Sequence, residues 1–207
     1  MRIRLYLTFL SLVLVLPAQE KVEGLRLGDK WVQNLQWRPI GPASMGGRIV
    51  DVEVVESNPF TFYIATASGG LFKTTNNGTT FTPVFENEKT VSIGDVAISK
   101  SNPNVLWIGT GEHNARNSVS WGDGVYKSTD GGKTWANMGL KKSFQIGRIA
   151  IHPENPDIVY VGALGRLWGP NAERGLYKTT DGGKTWKKIL FVDDKTGCVE
   201  VKMHPKN

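Results

Sequence analysis

The string Gly124–Trp135, GVYKSTDGGKTW, returns at Gly175–Trp186 as GLYKTTDGGKTW, with ten of twelve positions identical. A looser copy, GLFKTTNNGTTF, runs from Gly70 to Phe81. The central acid or amide of each copy (Asn76, Asp130, Asp181) falls at spacings of 54 and 51 residues. Outward from these strings lie matched sets: Asn58-Pro59, Asn102-Pro103 and Asn155-Pro156 on one side, then Gly47-Arg48, Gly94-Asp95, Gly147-Arg148 and Gly197-Cys198. A period near 51 means that one supersecondary unit is copied along the chain.

Each unit reads as four short strands. The first is Ile49–Val55, Val96–Ile98, Ile149–Ile151 and, in a fourth unit, Val199–Met203. Val50, Val52 and Val54 alternate with Asp51 and Glu53, a period of two. The second is Phe62–Thr66, Val105–Gly109 and Ile158–Gly162, bounded by Asn-Pro turns. The third is Leu71–Thr74, Val125–Ser128 and Leu176–Thr179, and the fourth begins at Phe81, Trp135 and Trp186. Outside the N-terminus nothing has a helical period. Four antiparallel strands per repeat predict an all-β fold, the blades of a β-propeller.

The motif Ser/Thr-x-Asp-x-Gly-x-Thr-Trp is the Asp-box, and the chain from about residue 36 onward resembles the BNR/Asp-box propellers. That superfamily includes sialidases, xyloglucanases, sortilin-type domains and photosystem II assembly factors. The flavour is nearest the sortilin-type propellers of secreted bacterial proteins, whose second and third blades GEHNARNSVSWGDGVYKSTDGGKTW and LWGPNAERGLYKTTDGGKTW resemble. The box is expected to be structural. Asp130 and Asp181 can accept backbone N–H bonds within their own turn. Gly132 and Gly183 free the backbone, and Trp135 and Trp186 pack between blades. Asn76, Gly78 and Phe81 are weaker versions of the same parts.

The chain begins with Arg2 and Arg4, an apolar run Leu5–Leu16 broken only by Thr8 and Ser11, and Pro17-Ala18 before Gln19-Glu20-Lys21. This pattern predicts a signal peptide over residues 1–18, shorter in its apolar run than the ~20 residues that span a bilayer. The expected location is therefore secreted, periplasmic or cell surface, with no membrane anchor after cleavage. Residues 19–35 are a lead-in, and 36–41 (Trp37 to Ile40) have the phase of a closing fourth strand. Blade one is expected at 42–90, blade two at 91–143, blade three at 144–194 and the start of a fourth at 195–207. Three repeats fall short of the usual 4–8 blades, so the remaining blades are expected from further chain.

The 207 residues are 40% hydrophobic and 21% charged, which excludes disorder and a multi-span membrane protein. The net charge of +6 is thinly spread, so no nucleic-acid footprint is expected. A single cysteine, Cys198, excludes a disulfide framework and a multi-cysteine metal site. No cofactor or metal is expected.

Candidate ligand contacts sit in the loops between strands two and three. Blade one has only Ala67-Ser68-Gly69, whereas blade two inserts Gly111 to Asp123 and blade three Leu164 to Arg174. Long loops on a rigid scaffold concentrate binding residues. They carry Glu112, His113, Asn114, Arg116, Asn117, Trp121 and Asp123, then Arg166, Trp168, Asn171, Glu173 and Arg174. Arg48, Asp95 and Arg148 start the inner strands and should reach the same face near the channel. Arg and Trp together suit a protein, peptide or glycan ligand. Trp121 and Trp168 are expected to be buried in loop packing, with Asp123 and Glu173 as partners for Arg116 and Arg174.

Catalysis finds less support. Glycoside hydrolysis needs two facing carboxylates, or a Tyr nucleophile in sialidases. The sialidase Phe/Tyr-Arg-Ile-Pro signature is met only by Trp37-Arg38-Pro39-Ile40, with the order broken. Arg48, Arg116 and Arg148 would supply at most part of an arginine cluster. Xyloglucanases place an acid just before the Gly-Gly of blade one, where this chain has Ala67-Ser68-Gly69-Gly70. The sequence favours a non-catalytic binding module, with a divergent glycoside hydrolase as the alternative.

Overall fold

A computed structural model describes residues 47–114 and 118–204. The expected signal peptide, lead-in and closing strand, together with Arg116 and Asn117, lie outside the described residues. The described residues all belong to one compact unit.

Among the described residues, twelve strands build three antiparallel sheets of four. The first holds β1 (Ile49–Val54), β2 (Phe62–Thr66), β3 (Leu71–Thr74) and β4 (Thr82–Pro83). The second holds β5 (Ile93–Ile98), β6 (Leu106–Thr110), β7 (Val125–Ser128) and β8 (Ala136–Asn137). The third holds β9 (Ile146–Ile151), β10 (Val159–Ala163), β11 (Gly175–Thr179) and β12 (Lys187–Leu190). Strand order follows chain order within each sheet, and among the described residues there is no helix. These are propeller blades.

Two cores lie in the two seams between blades. Tyr63, Leu71 and Phe85 of blade one meet Ile93, Leu106, Ile108 and Tyr126 of blade two. Ala97, Val105, Trp107 and Val125 from the other side of blade two meet Ile146, Ile149, Val159, Val161 and Tyr177 of blade three. Blade two is covered on both sides, which is why every residue of β6 is buried despite the alternation of its side chains. Burying a side chain as large as Trp107, at 0% exposure, is worth about 2–3 kcal/mol. The flanking blades keep one open side: Val52 and Val54 on blade one, and Ile189, Leu190 and Phe191 on blade three, are exposed.

Two expectations are corrected. Residues 199–203 are not in a strand, and among the described residues no strand pairs with them. The segment nevertheless follows the inner edge of blade three, with the Cys198 N–H donating to Ala163 O at 3.0 Å. The inner strands also align differently from the Gly-Arg/Gly-Asp match. Asp51, Asp95 and Arg148 are the equivalent residues, paired across from Ala65, Gly109 and Gly162. Arg48 belongs three residues earlier, where its carbonyl accepts the Ala67 N–H as those of Ser92 and Gln145 accept Gly111 and Leu164. The same bulge recurs in all three inner strands, so it keeps the blades in phase; the dipeptide match fails because Val50 stands where blades two and three carry Gly94 and Gly147.

Candidate functional site

The box turns have closed chemistry. Asp130 Oδ1 accepts the N–H groups of Lys133 (2.9 Å) and Thr134 (3.0 Å), and Oδ2 accepts the Thr134 hydroxyl at 2.6 Å. The Ser128 hydroxyl donates to Asp130 at 2.8 Å and accepts the Gly132 N–H at 2.9 Å. Asp181 repeats this with Thr185, Thr179 and Gly183. These bonds, the Thr134 and Thr185 hydroxyls foremost, hold both carboxyls well below the usual carboxylate range. In blade one Asn76 does the same work with its amide, accepting Thr80 N–H and donating to the Thr80 hydroxyl, each at 2.9 Å. The turn requires positive φ at its two central residues, 73° and 85° at Gly131 and Gly132. Asn76, Asp130 and Asp181 each serve their own turn, so none has an oxygen free for acid–base work.

On the other face the long loops pack against the connections between blades. The Gly122 N–H donates to Phe144 O at 2.8 Å, and the Thr90 hydroxyl to Trp121 O at 3.2 Å. Asn171, itself buried, donates its side-chain amide to Lys142 O at 3.2 Å. Arg174 clamps the third loop through the carbonyls of Leu164, Arg166 (2.7 Å), Gly169 (3.2 Å) and Asp194 (2.9 Å). The expected Arg174–Glu173 pair does not form, since backbone carbonyls surround the guanidinium while Glu173 accepts the Tyr177 hydroxyl at 3.0 Å. Asp123 likewise accepts the Tyr126 hydroxyl at 2.8 Å.

Trp121 and Trp168 are not buried. They are 62% and 75% exposed. Trp121 meets Phe144 edge-on with centroids 5.2 Å apart, and the Arg166 guanidinium lies 5.3 Å over the same Phe144 ring. Phe144, which no sequence pattern singled out, thus joins the two long loops into one aromatic and cationic patch.

The other candidates face inward. Glu112 is buried and ion-paired with Arg48, whose guanidinium also donates to Asn114 O at 3.5 Å. His113 Nδ1 contacts Gly94 O. Asp95 is 1% exposed; it pairs with Arg148 at 2.8 Å and accepts the Ile149 N–H of the next blade at 2.7 Å. Asp51 accepts the Val96 N–H at 3.3 Å across the earlier seam, and Arg148 reaches on to Glu200 at 3.3 Å. Burial pushes Asp95 up to about 8 against the pull of Arg148, with the nearby Asp51 charge adding to the rise. The site set therefore divides into a cluster of Trp121, Phe144 and Arg166 on the loop face, the exposed Trp168 on the third loop, and the buried acids Asp95 and Glu112 paired with the half-exposed Arg148 and Arg48. Among the described residues no cluster of three His, Cys, Asp or Glu could hold a metal ion.

Blades of this build, each turned by an Asp-box, define a BNR-type β-propeller. The BNR/Asp-box repeat family matches residues 126–137 and 177–188. The chain is similar to the probable oligoxyloglucan-reducing end-specific xyloglucanase of Neosartorya fischeri, 29% identical over 184 residues, which are 77% of this chain and 20% of that protein. It therefore spans about a fifth of the length of this curated relative. An ancestral GH74 enzyme superposes with a TM-score of 0.54 at 24% identity, over 71% of this chain and 19% of that one. YCF48 bound to D1 peptide superposes with a TM-score of 0.50 at 17% identity, over 72% and 42% of the two chains.

Proposed function

We propose that this chain is the blade-forming part of a secreted, non-catalytic propeller that binds a polysaccharide chain on its loop-rich face. The observation that carries this reading is the pair of exposed indoles, Trp121 and Trp168, on loops held at Gly122 by the Phe144 carbonyl and at Gly169 by the Arg174 guanidinium. A flat aromatic ring offers a large apolar surface at little cost in conformational freedom. Arg166, over the Phe144 ring that Trp121 also meets, supplies donors for hydroxyl or carboxylate oxygens. The similarity to a xyloglucanase supports a glycan as the ligand class, and the signal-peptide pattern at residues 1–18 supports work outside the cytoplasm.

The second reading is a divergent glycoside hydrolase, favoured by that same relative. Against it, the loop acids Glu112 and Asp123 are engaged with Arg48 and Tyr126, and Ala67-Ser68 stand where xyloglucanases carry an acid before the Gly-Gly. Affinity electrophoresis in xyloglucan gels, run beside a reducing-end assay, tests both. The binding reading expects retardation without sugar release, with Trp168→Ala weakening retention about tenfold and leaving Tm unchanged. Equal mobility with and without xyloglucan overturns it, and sugar release transfers the case to the hydrolase.

A further inference from the structure

Four arginines lie among the described residues, and three of them are spent on the chain itself. Arg48 pairs with Glu112, Arg148 with Asp95 and Glu200, and Arg174 with loop carbonyls. Arg166 is different. It is exposed, its guanidinium lies over the Phe144 ring, and among the described residues it has no carboxylate or carbonyl partner. The acids of the two long loops are engaged elsewhere: Glu112 with Arg48, Asp123 with the Tyr126 hydroxyl, Glu173 with the Tyr177 hydroxyl. Lys141 and Lys142, on the connection that carries Phe144, are also exposed and without a carboxylate partner among the described residues.

Phe144 holds this arrangement under strain. Its φ is 58°, a left-handed conformation that a bulky residue rarely adopts. Its carbonyl accepts the Gly122 N–H at 2.8 Å and lies against Gly111, where an added Cβ would strike it, so the backbone is fixed there. The matching residue of blade one is Gly47, with φ 75°. That blade makes the turn with a glycine and no ring, so the turn itself does not ask for phenylalanine. Backbone strain of this kind collects at ligand sites. What the ring does is set two groups from different blades against each other: the Trp121 indole edge-on at 5.2 Å and the Arg166 guanidinium at 5.3 Å.

We infer that the loop face reads a carboxylate on its ligand, an acidic polysaccharide. Trp121 receives a sugar ring, Arg166 takes the carboxylate of a uronic acid residue, and Phe144 is the positioning residue that holds the two in relation. The inference rests on the glycan-binding reading and narrows it. A neutral sugar offers the guanidinium only hydroxyl acceptors, whereas a carboxylate matches its planar fork and makes charge-assisted bonds roughly twice as strong. Lys141 and Lys142 add positive charge on the same connection.

Affinity electrophoresis of the whole chain in polygalacturonate and in xyloglucan gels tests this at about 0.15 M salt, where diffuse attraction to a positively charged chain is largely screened. Polygalacturonate should retain the unmodified chain at least about fivefold more tightly. Arg166→Gln should weaken retention and bring the two gels level. Lys184→Gln, the same charge change at the box turn of blade three, should leave the preference intact. Phe144→Gly takes the left-handed backbone without strain, so it should hold Tm within about 3 °C and lose the preference. Equal retention of the unmodified chain in the two gels, a preference that survives Arg166→Gln, or one that falls equally in Lys184→Gln overturns the inference and leaves the glycan reading standing. Retention in neither gel overturns both. Tighter retention by a sulfated galactan than by polygalacturonate overturns the carboxylate assignment, and a lower Tm in Phe144→Gly with the preference intact overturns the role given to Phe144.

Discussion

The indole N–H of Trp186 crosses the second seam to the carbonyl of Met138 at 2.7 Å, while its ring meets Trp107 edge-on at 5.9 Å between centroids. The last residue of the box string thus ties the blade it closes to the blade before it. Local turn and tertiary seam are specified by the same twelve residues.

Replacing that N–H tests the tie. Trp186→Phe keeps most of the apolar contact but leaves the Met138 carbonyl without its donor, at a cost of about 1–2 kcal/mol. The expected result is a Tm lower by roughly 3–6 °C in a chain of this size, with the far-UV spectrum unchanged. An unaltered Tm would place the seam energy elsewhere.

The inner-strand carboxylates predict an unusual pH profile. Burial raises Asp95 to about 8, and burial followed by the Asp51 charge raises Glu53 to about 7. Unfolded carboxyls titrate near ~4. Between these values the folded chain keeps protons that the unfolded chain has released, so stability falls as pH rises. The urea midpoint should be higher at pH 5 than at pH 8, and Asp95→Asn should flatten that slope. A midpoint that climbs steadily from pH 5 to 8 would contradict the assignment.

The box acids act in the opposite direction and in a lower window. Asp130 and Asp181 are held below the usual range by hydroxyl and backbone donors. Their contribution is complete above the unfolded value near ~4 and is lost as pH falls towards the folded one. Asp130→Asn, which keeps an amide acceptor as Asn76 does in blade one, should lessen the stability loss between pH 4 and pH 2, followed by intrinsic fluorescence.

The blades were legible because the turn chemistry is local. Ser128, Asp130, Gly132 and Thr134 bond to one another within seven residues, so their string reports the turn directly. The strands of blade two followed from β-branched and aromatic runs. The channel register was not legible: Val50 stands where blades two and three carry Gly94 and Gly147, so the Gly47-Arg48 dipeptide drew the match away from Asp51, and Asp51 read as a polar spacer. Nor was the exposure of Trp168, which depends on where Arg174 finds its carbonyls. Phe144 carried no pattern at all, since its neighbours come from two different loops.

The Arg48–Glu112 pair separates architecture from chemistry. Glu112 is 3% exposed and its partner comes from the start of the first blade, so the pair pins the long loop of blade two to the inner rim. Arg48→Ala leaves a buried carboxylate without its cation, a loss of about 1–3 kcal/mol given that the Arg48 side chain is 38% exposed. The double variant Arg48→Ala with Glu112→Gln removes both charges and should recover a substantial part of that loss, a coupling that a double-mutant cycle reads directly. In the same samples Glu112→Gln should leave xyloglucan retardation within about twofold of the unmodified chain. If Glu112→Gln instead abolished release of reducing ends while the coupling with Arg48 vanished, the carboxylate would be a catalytic group and not a loop anchor.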